Sequence, residues 1–408
     1  MKKLGYYLRF EFKKRHWMWP LVVFLTLGLS AGFWQQQYAR TQYLQEYSQR
    51  LKKRYTRADQ LGSSEIEAFK KTPAAYHQWY MNSLAVNLSK RQATRSLDGF
   101  GVRMYANVDN VNGVLINSMA RTYTQFQYML RNQITPMYPD SLDIQSSAGD
   151  LSSLNEQSTQ MVLKDNPQYY LQGWYYLWFL IRSNSIVLLL VIGSIVTGRL
   201  WAKELENKKA HSNWLLLQGL NPFAQICTEF LTIFSTFIQI VLLPLSLITL
   251  GVGLTAGWGD LRYPVFNFSD PNGFGLGESF MALRNYLTQA MILVVLLILF
   301  MTLINLCLAQ LLKNSWLTTI GMLLLIGITQ VMPSVPNFPL TYFNVNDTIT
   351  GILQKNTGSD ALQPSMVIMN MTWWCVVLFA ILIIPATWSW LSQFFSKHRI
   401  MRSNTEKA

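Results

Sequence analysis

Residues 198–222, GRLWAKELENKKAHSNWLLLQGLNP, form the longest polar break between two apolar runs on the basic side of this chain. The charged first part, LWAKELENKK, can carry the preceding apolar run onward as a helix beyond a membrane surface. Trp214, Leu215, Leu216 and Leu217 then make an apolar patch, and Gly219 with the Asn221-Pro222 pair supplies a helix stop. Two readings of the break are open: an ordinary amphipathic loop, or a short apolar helix under the bilayer that fits a groove on a soluble protein. Either reading makes the flanking runs membrane spans, and that decides the fold class.

Composition agrees. The 408 residues are 50% hydrophobic and only 13% charged, with a mean hydropathy of +0.15, and several apolar runs are long enough to cross a bilayer. The formal net charge of +13 comes without zinc-finger spacing, a base-stacking motif or a basic helix clear of the spans, so a nucleic-acid partner is not expected. Basic residues flanking membrane helices account for the charge. Cys227, Cys307 and Cys375 all lie inside apolar runs, where they read as packing residues and not as a disulfide or metal framework.

Residues 1–16 carry Lys2, Lys3, Arg9, Lys13, Lys14 and Arg15 among apolar residues at helical spacing, which suits an interfacial helix, a basic topology anchor, or both. The first span is expected at 17–34. It lacks a small-residue cleavage site, so it reads as retained. Residues 35–175 then lie outside as a long, mainly helical region. The first span continues outward as an amphipathic stalk, Ser64 with Glu67 forms a capping box, and further helix is expected from about 111 to 134, with a loop at 139–160.

Further spans are expected at about 181–201, 223–250, 286–312, 315–332 and 366–390. Arg182 in the outer turn of the second reads as snorkelling to the headgroups, with a substrate contact as the alternative, and Pro244 kinks the third. Residues 251–284 read as an outer loop. Residues 333–365, containing YFNVNDTITG at 342–351, are too apolar for a solvated loop and are expected to dip back toward the membrane. The expected fold is therefore all-α and polytopic, with six transmembrane helices, cytosolic N- and C-termini and a large extracellular domain. Its parts are 1–16, 17–34, 35–175, 176–400 and a cytosolic tail at 401–408.

The catalogue of reactive groups is thin. His16, His77, His211 and His398 are scattered, no HExxH is present, and GSIVTGRL at 193–200 has Arg-Leu where a phosphate loop needs Lys-Ser or Lys-Thr. Neither a catalytic site nor a cofactor or metal site is expected on this chain. Glu229 is the main charge inside a predicted span and reads as a solvated carboxylate near the inner surface, which disfavours ion coupling within the bilayer.

The order of these elements resembles the permease subunit of ABC type 2 (exporter-type) transporters. It rests on a basic N-terminal helix, six spans, a polar segment joining the second and third, and a glutamate followed by leucines and a proline. The glutamate is Glu204 or Glu206, the leucines are Leu215, Leu216 and Leu217, and the proline is Pro222; the 342–351 segment is similar to the outer re-entrant segment of such permeases. The resemblance covers about residues 1–34 and 176–400. It implies a plasma-membrane, multi-pass permease that pairs with a second permease, identical or not, around a pathway lined by spans one, two and five. It also implies that separate ATPase subunits, carrying ATP and Mg, dock on 199–222, with Glu204, Trp214, Leu215, Leu216, Leu217, Gly219, Asn221 and Pro222 as the coupling residues. The uncharged spans favour a hydrophobic or amphipathic cargo. An ion-coupled transporter, and a receptor or assembly protein using the outer domain, are the rival readings.

Overall fold

The computed structural model describes residues 18–55, 116–135, 137, 144, 155–165, 167–200, 202, 205, 222–268 and 279–405. Among these the chain is mostly helical. In order come α1 (Met18–Tyr55), α2 (Ile116–Arg131), α3 (Glu156–Asp165), α4 (Gly173–Arg182), α5 (Ser185–Thr197) and α6 (Pro222–Ala256). A hairpin of β1 (Pro264–Asn267) and β2 (Ser279–Ala282) follows, then α7 (Leu283–Leu312), α8 (Ser315–Val331), α9 (Val345–Ile349), α10 (Ile352–Thr357) and α11 (Pro364–Thr405).

Among the described residues four stretches are long and apolar enough to cross a membrane: Met18–Tyr43, Gln225–Ala256, Leu283–Leu312 and Pro364–Ile384. The pair α4 and α5 makes a fifth if taken together, but it is bent by 70°. The straight span expected at 181–201 is therefore corrected to a broken one. The break sits at Ser183 and Asn184, and Asn184 adopts a left-handed conformation with φ 56° that no continuing helix permits. The 17 residues of α8 give about 26 Å of helix, short of a hydrocarbon layer of about 30 Å. Large apolar side chains such as Phe24, Leu254, Leu324 and Ile384 point outward from α1, α6, α8 and α11, and a surface of that kind suits lipid better than water.

Buried residues run the full length of α7, from Leu283 to Ala309, and α5, α6, α8, α9 and α11 pack against it. It stops where Lys313 turns left-handed at φ 48°. Asn314 then caps α8, its Oδ1 accepting from the amides of Trp316 at 3.0 Å and Leu317 at 3.1 Å, a cap worth about 1 kcal/mol. Pro222 opens α6 in the first turn, where its missing amide costs nothing, and Pro244 lies inside the same helix.

The far end of the bundle is more irregular than the sequence suggests. The loop expected at 251–284 carries the antiparallel hairpin, with Val265 opposite Met281, and α3 begins at Glu156, inside the last residues of the loop expected at 139–160, most of which lies outside the described residues. Segment 333–365 folds into two 3-10 turns, Pro339–Phe343 and Asp360–Leu362, around α9 and α10. Tyr342, Phe343, Val345, Ile349, Ile352 and Leu362 are buried there. Tyr286 Oη donates to Asn346 Oδ1 at 3.0 Å, and Trp178 packs edge-on against both Tyr170 and Tyr286. Arg182 does not reach outward to headgroups. It donates to Gln168 Oε1 at 2.8 Å, to the Tyr170 hydroxyl and to the Ile144 carbonyl at 3.1 Å, so protein acceptors replace solvent.

Candidate functional site

Small residues let α5 sit deep in the bundle. A Cβ added at Gly193 would lie 2.7 Å from the Phe237 ring of α6, and one at Gly198 would lie 2.7 Å from Thr319 Oγ1 of α8. Such close approach is how membrane helices gain packing energy, since burial from lipid alone provides none. At the end of α5, the Arg199 guanidinium lies 4.0 Å from the centroid of the Trp316 ring. The 198–222 stretch thus leaves α5 beside the Lys313-Asn314 turn, and the chain re-enters the bundle at Pro222 on α6, which packs along α5.

The half of the bundle nearest that turn has a polar interior. Ser194 and Thr197 on α5, Thr302 and Asn305 on α7 and Thr318 and Thr319 on α8 are all buried. So are Gln225, Thr228, Glu229, Thr232 and Thr236 on α6, whose spacing of three and four puts them on one stripe. Several hydroxyls are satisfied within their own helix. Ser194 donates to Leu190 O, Thr197 to Gly193 O, Thr236 to Thr232 O and Thr302 to Ile298 O, each at 2.8 Å.

Asn305 is different. The Thr197 hydroxyl hydrogen is committed to Gly193, so the Asn305 amide must present its NH₂ group to Thr197 Oγ1, and it does so at 2.9 Å. Its Oδ1 is left buried with no partner among the described residues. An orphan acceptor inside a helical bundle costs about 1–3 kcal/mol.

Glu229 requires a correction. It was expected to be solvated near a surface, yet it is 3% exposed, because the polar stripe of α6 faces the neighbouring helices. Of the expected coupling residues, Glu204, Trp214, Leu215, Leu216, Leu217, Gly219 and Asn221 lie outside the described residues, as does Glu206; Pro222 is the first residue of α6. Apart from Glu229, the polar interior was not singled out from the sequence; the signals that could have found it are the spacing of three to four in QICTEFLTIFST, residues 225–236, and the polar Asn305 within the apolar run 290–309. The pairing of Asn305 with Thr197, 108 positions away, had no local signal.

Among the described residues no three His, Cys, Asp or Glu come together as a metal site, and Cys227, Cys307 and Cys375 are free thiols. Outside the spans, the Asp260 carboxyl is held below the usual carboxylate range by hydrogen bonds from the Arg262 side chain, at 2.7 and 3.1 Å. No protein-family model, no curated protein and no solved structure matches this chain.

Proposed function

We propose that this chain is the membrane-spanning permease subunit of an ATP-driven ABC type 2 exporter. It crosses the plasma membrane six times, counting the bent α4–α5 pair and α8 as spans, with both termini cytosolic and an extracellular helical domain at 35–175. It forms the translocation pathway with a second permease, identical or not, and separate ATPase subunits supply ATP hydrolysis. The cargo is hydrophobic or amphipathic: a peptide, a lipid-like molecule or a drug.

One observation carries the reading. Both ends of the 198–222 stretch meet the bundle at helices α5 and α6, which pack on each other and carry the polar interior. A force applied to that stretch by a partner is delivered directly to these two helices. The 70° break between α4 and α5 gives α5 a point about which to turn, while α4 stays tied to the aromatic cluster of the hairpin end. The test is transport in proteoliposomes containing the chain and its co-purified partners. Uptake of an amphipathic cargo that needs ATP and survives an ionophore supports the proposal; a response to a small inorganic ion alone refutes the cargo class.

The buried Glu229 favours a second reading, an ion-coupled transporter, because an intramembrane carboxylate is a common ion or proton site. In that case Glu229→Gln abolishes transport and an ionophore collapses it without any ATP requirement.

A further inference from the structure

A cleft of about 760 Å³ opens between α4, α6 and α7 at the hairpin end of the bundle. Its α7 wall runs from Leu287 to Leu296, about 14 Å of helix, which is close to half of a hydrocarbon layer of about 30 Å. The cleft is thus one leaflet long. Leu250 and Ile292 on its rim are 52% and 45% exposed, so its side opens to whatever surrounds the bundle.

The chemistry of the walls selects the occupant. Among the described residues only three hydroxyls line it, and each has its hydrogen committed to its own helix: Ser246 donates to Leu242 O at 2.8 Å, Thr249 to Leu245 O at 2.7 Å and Thr288 to Arg284 O at 2.8 Å. Water held in such a space would lack the two to four polar partners it needs. An apolar chain has no such demand.

The lip of the cleft is built from Trp174 and Trp258, whose rings lie 5.2 Å apart. The backbone holds them there: Gly173 N donates to Gly257 O and Trp174 N to Trp258 O, both at 2.9 Å. Paired tryptophans mark the depth at which headgroups meet hydrocarbon. One turn beyond Thr288, on the same face of α7, stands Arg284, exposed and with no carboxylate partner among the described residues. A guanidinium there meets phosphate oxygens in a two-pronged geometry.

We propose that this cleft is a binding site for one phospholipid, its acyl chain between α6 and α7 and its phosphate at Arg284. The inference rests on α6 and α7 being membrane-spanning, and it is independent of the transport reading. The test uses the purified full-length chain, delipidated by extensive detergent washing, with retained phospholipid counted by native mass spectrometry. One phospholipid per chain is expected. Arg284→Glu lowers retention about tenfold, or ~1.4 kcal/mol, Arg284→Lys keeps most of it, and Ser246→Phe, which fills the cleft, removes it. As a second measurement, vesicles of phosphatidylglycerol brominated on one acyl chain quench a tryptophan component in the parent chain that is missing in Trp258→Phe. Equal retention in Arg284→Glu and the parent overturns the proposal. So does disulfide crosslinking of Leu250→Cys to a second copy in place of retained lipid, because the cleft would then be a protein interface.

Discussion

Replacing Asn305 by leucine is expected to make this protein more stable. The substitution removes one interhelical hydrogen bond, Nδ2 to Thr197 Oγ1 at 2.9 Å, and bonds of that kind in membrane proteins average about 0.6 kcal/mol. It also removes the buried Oδ1 that has no partner among the described residues, relieving about 1–3 kcal/mol. Leucine has the same branched skeleton of four side-chain heavy atoms as asparagine, and Thr197 keeps its own bond to Gly193 O, so no new orphan is created. The net effect is a gain of about 0.5–2 kcal/mol. Thr197→Val does the opposite: it strips the amide of its acceptor and costs about 1–3 kcal/mol. In the double variant the loss disappears, because the group that suffered it is gone, and the cycle gives a coupling energy of the same size. The assay is reversible unfolding in mixed micelles, followed by tryptophan fluorescence. Transport should fall in Asn305→Leu although stability rises, since an apolar contact between α5 and α7 no longer offers a polar partner to exchange during movement. A loss of more than about 1 kcal/mol in Asn305→Leu would refute the reasoning and mean that Oδ1 is satisfied in the membrane.

Two further expectations follow from local geometry. Gly253→Leu cannot be accommodated with the Trp258 ring in place, because a Cβ there would lie 2.6 Å from it; tryptophan emission should shift and thermal stability should fall by about 1–3 kcal/mol, and unchanged emission would contradict the contact. Asp260 has a folded pKa below the usual value because Arg262 hydrogen-bonds its carboxylate. Its stabilisation is therefore present above an unfolded pKa of about 3.9 and lost as the pH falls through the lower folded value. Asp260→Asn should match the parent in strongly acidic solution and fall slightly below it only at higher pH, measured by thermal unfolding across a pH series; the effect is small because the Arg262 partner is exposed to solvent.

Long helices were the most legible part of this chain. Apolar runs at 223–250 and 286–312 read directly as α6 and α7, and Asn314 after Lys313 marks a turn because its side chain caps the next helix. What escaped reading depended on distant partners. The polar run Arg182-Ser183-Asn184-Ser185 is a local sign of a break, asparagine being tolerant of the left-handed conformation, but it was read as the outer turn of one continuous span. The hairpin at 264–282 is held by tertiary contacts, such as Gln125 Nε2 donating to Pro264 O at 2.9 Å, and its short strands carry too few residues for a period. Arg182 looked like a headgroup anchor because its acceptors, among them Gln168 and Tyr170, are presented by an irregular stretch with no pattern of its own. For the candidate site, the spacing of three and four along α6 went unread, and spacing alone does not say which way such a stripe faces, so Glu229 was read as solvated.

The central claim, that a partner ATPase acts on this chain through residues 199–222, is tested most directly by purifying the tagged full-length chain in mild detergent and identifying every subunit bound to it. A stoichiometric nucleotide-binding subunit carrying GxxxxGK[ST] is expected, lost or uncoupled in Leu217→Asp while membrane insertion is unchanged. Co-purification and ATPase activity that are normal in Leu217→Asp, or the absence of any nucleotide-binding subunit from a chain that still transports, would contradict it.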